Sequence, residues 1–142
     1  MRRSRKAVLL GVAVLLAACD MDAPGGRVAA APAVSSTMEF EGGRPCVDCL
    51  GIDAWLQLEH DGGRRRYRLV EHYRGAGNGR RFEEAGEWIA DGDLLRLRNA
   101  DGGERVYARL AEGSLQARDS QGRPLPAAAD DVMMPVNFAT VR

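Results

Sequence analysis

A sustained helical period, a membrane-length apolar run and the common catalytic signatures are all missing from this 142-residue chain. Without a 3.6-residue period, helix is a minor component. The longest apolar run, Ala7–Ala18, has only twelve residues, and spanning a bilayer as a helix takes about 20. Aromatic residues make up 6% of the chain, so any core is modest. No G-x-S-x-G, H-E-x-x-H or P-loop occurs, which removes the usual signs of an α/β-hydrolase, a zincin and a P-loop NTPase. Cysteine is confined to Cys19, Cys46 and Cys49. The length leaves room for one domain.

What is present begins with a leader. Arg2, Arg3, Arg5 and Lys6 form a basic n-region and Ala7–Ala18 an apolar h-region of secretory length. Leu16-Ala17-Ala18-Cys19 resembles the lipobox of bacterial lipoproteins, in which the leader is cut before the cysteine and that cysteine is acylated. The alternative is an ordinary signal peptide with a chance cysteine. Acylation would anchor the chain firmly, since each buried methylene contributes about 0.8 kcal/mol and a second chain makes the anchor stable. Asp20 resembles an inner-membrane retention signal of the enterobacterial sorting system. Removing residues 1–18 leaves sixteen Lys/Arg against twenty Asp/Glu. A mildly acidic domain is not the profile of a general nucleic-acid binder. Export also places Cys46 and Cys49 where disulfides persist.

Residues 19–36, rich in Ala, Pro, Gly and Ser, read as a flexible tether. From Thr37 onward, short alternating segments are punctuated by glycine turns. Thr37–Glu41 is a strand ended by Gly42-Gly43. Ile52–His60 alternates with Ile52, Ala54, Leu56 and Leu58 on one face, and Asp61-Gly62-Gly63 turns it into Arg65–Arg74. Phe82–Ile89, Leu94–Arg98, Glu104–Leu110, Ser114–Arg118 and Pro135–Val141 follow, with Pro124–Asp131 as a connection. The expectation is an all-β fold, a small antiparallel barrel of about eight strands spanning residues 37–142. A two-sheet sandwich is the alternative.

Phe40-x-Gly42, Pro45-Cys46-x-Asp48-Cys49-x-Gly51-Ile52, Leu56-x-Leu58, Tyr73-x-Gly75 and Phe82-x-x-x-Gly86-x-Trp88 resemble the N-terminal domain of NlpE-type lipoproteins, known as copper-resistance or envelope-stress lipoproteins. The resemblance covers roughly Thr37 to Asp119. It implies a lipocalin-like barrel on an acylated anchor, facing the periplasm, with the outer membrane favoured by the family and the inner membrane by Asp20. It also implies a role in copper tolerance or envelope-stress homeostasis, with a signalling partner of unknown identity. Two-domain members carry a second domain with its own cysteine pair, and signalling that rests on that domain is not expected here.

Three chemistries are open to the Cys46–Cys49 pair. A disulfide would close a very short loop and stabilise the fold by about 2 kcal/mol. Two thiolates would suit a soft ion such as Cu(I) and give half of a tetrahedral zinc site; His60, His72, Met133 and Met134 are the candidate further ligands. For each histidine a solvent-facing or rim position is favoured, and for the methionines strand-end packing. Thiol–disulfide catalysis is disfavoured, because the motif runs into a strand rather than a helix N-terminus and Asp48 opposes thiolate formation. No catalytic residue is assigned. Glu71 and Glu84 share parity with the apolar faces of their strands, and a hydrated place at a barrel end is favoured over an acid–base pair. Arg64–Arg66, Arg68, Arg74, Arg80 and Arg81 form a basic region, either a solvated strand face or a surface for anionic headgroups or lipopolysaccharide. Tyr67, Phe82 and Trp88 would fill the lumen or line a site for a small apolar ligand, as in a lipocalin-like carrier.

Overall fold

Alternation with a period of two builds this barrel. In the computed structural model the described residues are 34–75, 79–126 and 131–141, the last five as backbone only. The expected leader, Cys19, Asp20 and nearly all of the tether lie outside them. Eight strands follow in order: β1 (Ser35–Arg44), β2 (Gly51–Asp61), β3 (Arg64–Arg74), β4 (Arg81–Asp91), β5 (Leu94–Asn99), β6 (Glu104–Arg109), β7 (Leu115–Arg118) and β8 (Val132–Val141). Each pairs antiparallel with its sequence neighbour and β8 returns to β1, closing the barrel. Closure removes the free edges that would otherwise template association.

On β2, Ile52, Ala54, Leu56 and Leu58 are buried while Asp53 is exposed. The same parity on β3 buries Tyr67, Leu69 and Glu71 and exposes Arg66, Arg68 and His72. The middle of the barrel is filled by Leu56, Leu69, Leu97, Tyr107, Leu115 and Met133, each 2% exposed or less. Of the three expected filler aromatics, Tyr67 and Trp88 are buried, whereas Phe82 stands half exposed at the mouth. The Gly62-Gly63 turn takes positive φ at both positions (53° and 89°), the geometry that matches the twist of a tight hairpin.

The strand ends depart from expectation at the closing seam. β1 begins at Ser35, two residues before the expected boundary, and passes through Gly42-Gly43 to Arg44 instead of stopping there. Gly42 is a packing device: a Cβ there would collide with the Val132 carbonyl and lie 2.8 Å from the Met133 Cα. The missing side chain lets β1 and β8 approach. β8 likewise starts three residues before Pro135, which carries Met133 into the core. Its register on β1 slips between Glu39 and Phe40, opposite Val136, next to a proline that has no N–H for the ladder. Gly42→Ala is expected to cost about 1–3 kcal/mol through overpacking. Gly43→Ala, with nothing within 4 Å of the new methyl, serves as the control, and urea unfolding of the two variants checks the difference.

The barrel has two unlike ends. Val34 enters at the end that carries the β2–β3, β4–β5 and β6–β7 turns, because Ser35 pairs with Asp61. The opposite end carries the longer β1–β2, β3–β4 and β7–β8 connections, and the cysteines lie there.

Candidate functional site

The β1–β2 connection is a bend, Pro45–Leu50, in which Cys46 and Cys49 are joined by a disulfide with their Cα atoms 5.4 Å apart. Strand pairing of Arg44 with Ile52 fixes both feet of the bend, and Leu50 N donates to the Arg74 carbonyl at 2.9 Å. The crosslink holds Val47 and Leu50 out in solvent, 99% and 81% exposed. Asp48, between the two cysteines in sequence, is exposed. The loop is therefore a crosslinked tip bearing two apolar side chains and a disulfide.

The candidate further ligands do not gather around this tip. His60 lies at the opposite end, edge-on to Trp88 with ring centroids 6.4 Å apart. His72 is exposed on the outer wall of β3. Met133 is sealed in the core, and Met134, on the next residue and so the other face, is half exposed. Among the described residues no group of three or more His, Cys, Asp or Glu is placed to hold a metal ion. Any soft-metal chemistry would rest on the two sulfurs after reduction.

Beneath the tip lies a polar cluster that differs from the expected hydrated carboxylates. Glu71 is 4% exposed and accepts from Arg44 Nη1 at 2.5 Å and from Arg105 Nη1 at 3.2 Å. Arg44 Nε reaches Asp131, itself buried, at 3.1 Å. Arg105 Nε donates to Glu84 at 3.2 Å, and the Tyr67 hydroxyl donates to the other Glu84 oxygen at 2.7 Å. Glu71 is dry because two guanidinium groups from β1 and β6 take the place of water, as a buried carboxylate requires. Glu84 keeps partial exposure, 24% of its side chain. Its cleft, about 270 Å³, is lined by Glu71, Glu84, Arg105, Leu69 and the T-shaped pair Tyr73–Phe82.

The electrostatics follow from this enclosure. Burial works against the charge on Arg44, yet Tyr107, Asp131 and Glu71 outweigh it and hold the guanidinium protonated. Burial first, then its bond to Glu84, pushes the Tyr67 phenol above its ordinary value of 10.0. A raised folded-state value means stability that is present below the unfolded value and lost as pH rises through the folded one. Tyr67→Phe is thus expected to flatten the decline in stability above about pH 10, measured by urea unfolding along an alkaline series. An unchanged slope would show that Tyr67 does not titrate against folding.

Arg44, Arg105, Asp131 and Tyr107 were not singled out from sequence. Parity could have found two of them: Arg44 follows Phe40 and Gly42 on the inner face of β1, and Arg105 precedes Tyr107 on that of β6. The expected basic region is also split. Arg68 and Arg81 share Glu83 at 2.5 and 3.0 Å, and Arg74 faces Asp53 at 3.3 Å. Arg64–Arg66 lie at the other end, by the β2–β3 turn.

A closed eight-stranded antiparallel barrel with a CxxC disulfide bend between its first two strands defines a small lipocalin-like barrel domain. Residues 40–128 match the family model described as the NlpE N-terminal domain, and the chain belongs to that family. It is 30% identical over 129 residues to lipoprotein NlpE of Escherichia coli (strain K12), covering 85% of this chain and 53% of that protein. The chain thus spans about half the length of the curated relative it matches. A crystal structure described as the Cpx pathway activator NlpE from Escherichia coli superposes with a TM-score of 0.55 at 31% identity, over 62% of this chain and 45% of that one.

Proposed function

We propose that this chain is a periplasm-facing envelope lipoprotein, acylated on Cys19, that acts in envelope-stress homeostasis or copper tolerance through the Cys46–Cys49 bend. The observation that carries this is the bend itself: two sulfurs on a rigid, solvent-exposed tip, at the end of the barrel opposite the entry of the chain at Val34. An anchor before Val34 would leave that tip free to meet soluble ions or a partner domain. The relative's description as a Cpx pathway activator supports a stress role. Residues Leu16–Cys19 support acylation. The choice between outer and inner membrane turns on Asp20, and membrane fractionation decides it.

Oxidised, the pair serves as a rigid clasp; reduced, it offers two thiolates to Cu(I). The test is a Cys46→Ser/Cys49→Ser strain, expected to be more copper-sensitive than wild type. Isothermal titration of the reduced protein with Cu(I) should show uptake that the double variant lacks. Wild-type copper tolerance together with no cysteine-dependent uptake would leave the copper role without support. The same double variant is expected to lose about 2 kcal/mol of stability, the chain-entropy value for so short a loop, as read by urea unfolding without reductant. The carrier alternative is weakened by the lumen, whose centre is occupied by side chains.

A further inference from the structure

The end of β7 holds an arginine that the buried ion-pair cluster does not use. Arg118 is the last residue of β7 and pairs across the sheet with Val106 on β6. Its Nε is buried, and among the described residues its guanidinium makes no ion pair or side-chain hydrogen bond. A charged donor shut off from water without an acceptor is costly. The acids within reach are already taken. Glu104, two residues before Val106, accepts from Arg96 at 2.7 Å and from Arg98 at 3.0 Å, and Arg96 also meets Asp91. Glu71, Asp131 and Glu84 are shared between Arg44 and Arg105. Asp119 holds Arg123 at 2.8 Å. Among the described residues, Arg118 is the unmatched cation of this corner.

A cavity of about 150 Å³ adjoins it, and its lining includes Arg44, Arg105 and Arg118 against a single acid, Glu104. One wall is fixed in advance. Arg118 bridges back to Pro124, and Asp119 pins the turn between them by accepting from the backbone N–H groups of Gln121 and Arg123 at 2.9 and 2.8 Å. Tyr107, 2% exposed, also borders the cavity. Burial pushes its phenol up against the pull of Arg44 and Arg105, so it stays a neutral hydroxyl. We propose that this cavity binds a small oxyanion, a phosphate or carboxylate group, with Arg118 as its principal ligand. The unmatched guanidinium sets the sign of the ligand: a neutral one would leave the charge uncompensated, and a cation would meet three arginines. A guanidinium presents paired N–H groups in the fork that suits an oxyanion. The volume sets the size, since it lies well below the roughly 300–1,000 Å³ of pockets for drug-sized ligands. A wall already held in place leaves little to order on binding. The site is separate from the disulfide and independent of acylation.

The test titrates the full chain with sodium phosphate, against sodium chloride of matched ionic strength, by isothermal titration and by thermal unfolding. Phosphate should raise the melting temperature beyond chloride, by about 5 °C or more once it exceeds its Kd tenfold. Arg118→Gln should weaken phosphate binding by about tenfold or more, the scale of one charge-assisted hydrogen bond. In phosphate-free buffer the same variant should melt no lower than wild type, because it removes a cation that has no partner. Arg118→Lys keeps the charge without the fork and should fall between the two. Arg68→Gln, which removes a cation already matched by Glu83, should bind phosphate as wild type does. Glycerol phosphate separates the two sources of the group: affinity equal to phosphate marks a free ion, tighter binding marks the anionic end of a larger ligand, and either supports the site. No shift beyond chloride, or an equal shift in wild type and Arg118→Gln, overturns the proposal; the second result would be the general stabilisation that phosphate gives by exclusion from protein surfaces. Equal weakening by Arg68→Gln also overturns it, as diffuse charge attraction. So does a lowered melting temperature for Arg118→Gln without phosphate, since the arginine would then be supporting the fold.

Discussion

Replacing Glu71 with alanine is expected to destabilise the barrel by about 3 kcal/mol, the lower part of the range for breaking a buried ion pair by removing one partner. The carboxylate is almost wholly dry and lies between Arg44 and Arg105. Its loss would leave Arg44 to Asp131 alone and Arg105 to Glu84 alone, on side chains that keep only 24% and 30% exposure. That residual exposure lets water screen part of the penalty, hence the lower part of the range. Glu71→Gln keeps the volume and an acceptor and should lose less. Arg44→Met should resemble Glu71→Ala, because it takes the ion-pair partner from the buried Asp131 and leaves Glu71 with Arg105 alone. Urea unfolding of the three variants gives the ranking. A loss within about 0.5 kcal/mol for Glu71→Ala, the range of ordinary surface changes, would mean that water fills the place of the carboxylate and that the cluster is not structural.

The cluster also shows where the sequence stopped being legible. The hairpins were readable because each strand alternates over several residues between glycine turns, and the inward faces of β2 and β3 come straight from that alternation. Gly42-Gly43 gave the opposite signal. Paired glycines usually punctuate, but here the first one serves a close approach to β8 that only the closed barrel creates. Ending β1 early removed Arg44 from the strand and so from the inner face. Glu71 then had no visible partner, and a hydrated position was the reasonable expectation. Its actual partners come from strands 27 and 34 residues away, a proximity that no local pattern encodes. The cysteine pair was legible for the reverse reason: its geometry is set within four residues. What it joins or binds depends on redox state and partner, which are not local properties.

Leu56→Ala should be the most damaging change in the apolar part of the barrel, at about 2–5 kcal/mol. Leu56 is 0% exposed and stands between Phe40 on β1 and Leu69 on β3. Its environment is the wall of a closed sheet, whose hydrogen-bond ladder resists collapse around a void. A site that relaxes little keeps its cavity, and the cost rises with the volume retained. Phe82→Ala removes a larger side chain, yet Phe82 is 50% exposed at the mouth and should cost under about 1 kcal/mol beyond its edge contact with Tyr73. Thermal unfolding should therefore rank Leu56 far above Phe82, with roughly 4–8 °C per kcal/mol for a domain of this size. The same pair bears on the lumen. A packed barrel takes up no small apolar probe such as benzene until Leu56→Ala opens a dry cavity for it. A carrier would bind the probe in the wild type and feel the loss of Leu56 only weakly. Benzene uptake by the wild-type protein, with a small stability change in Leu56→Ala, would show that the lumen is a container and not a core.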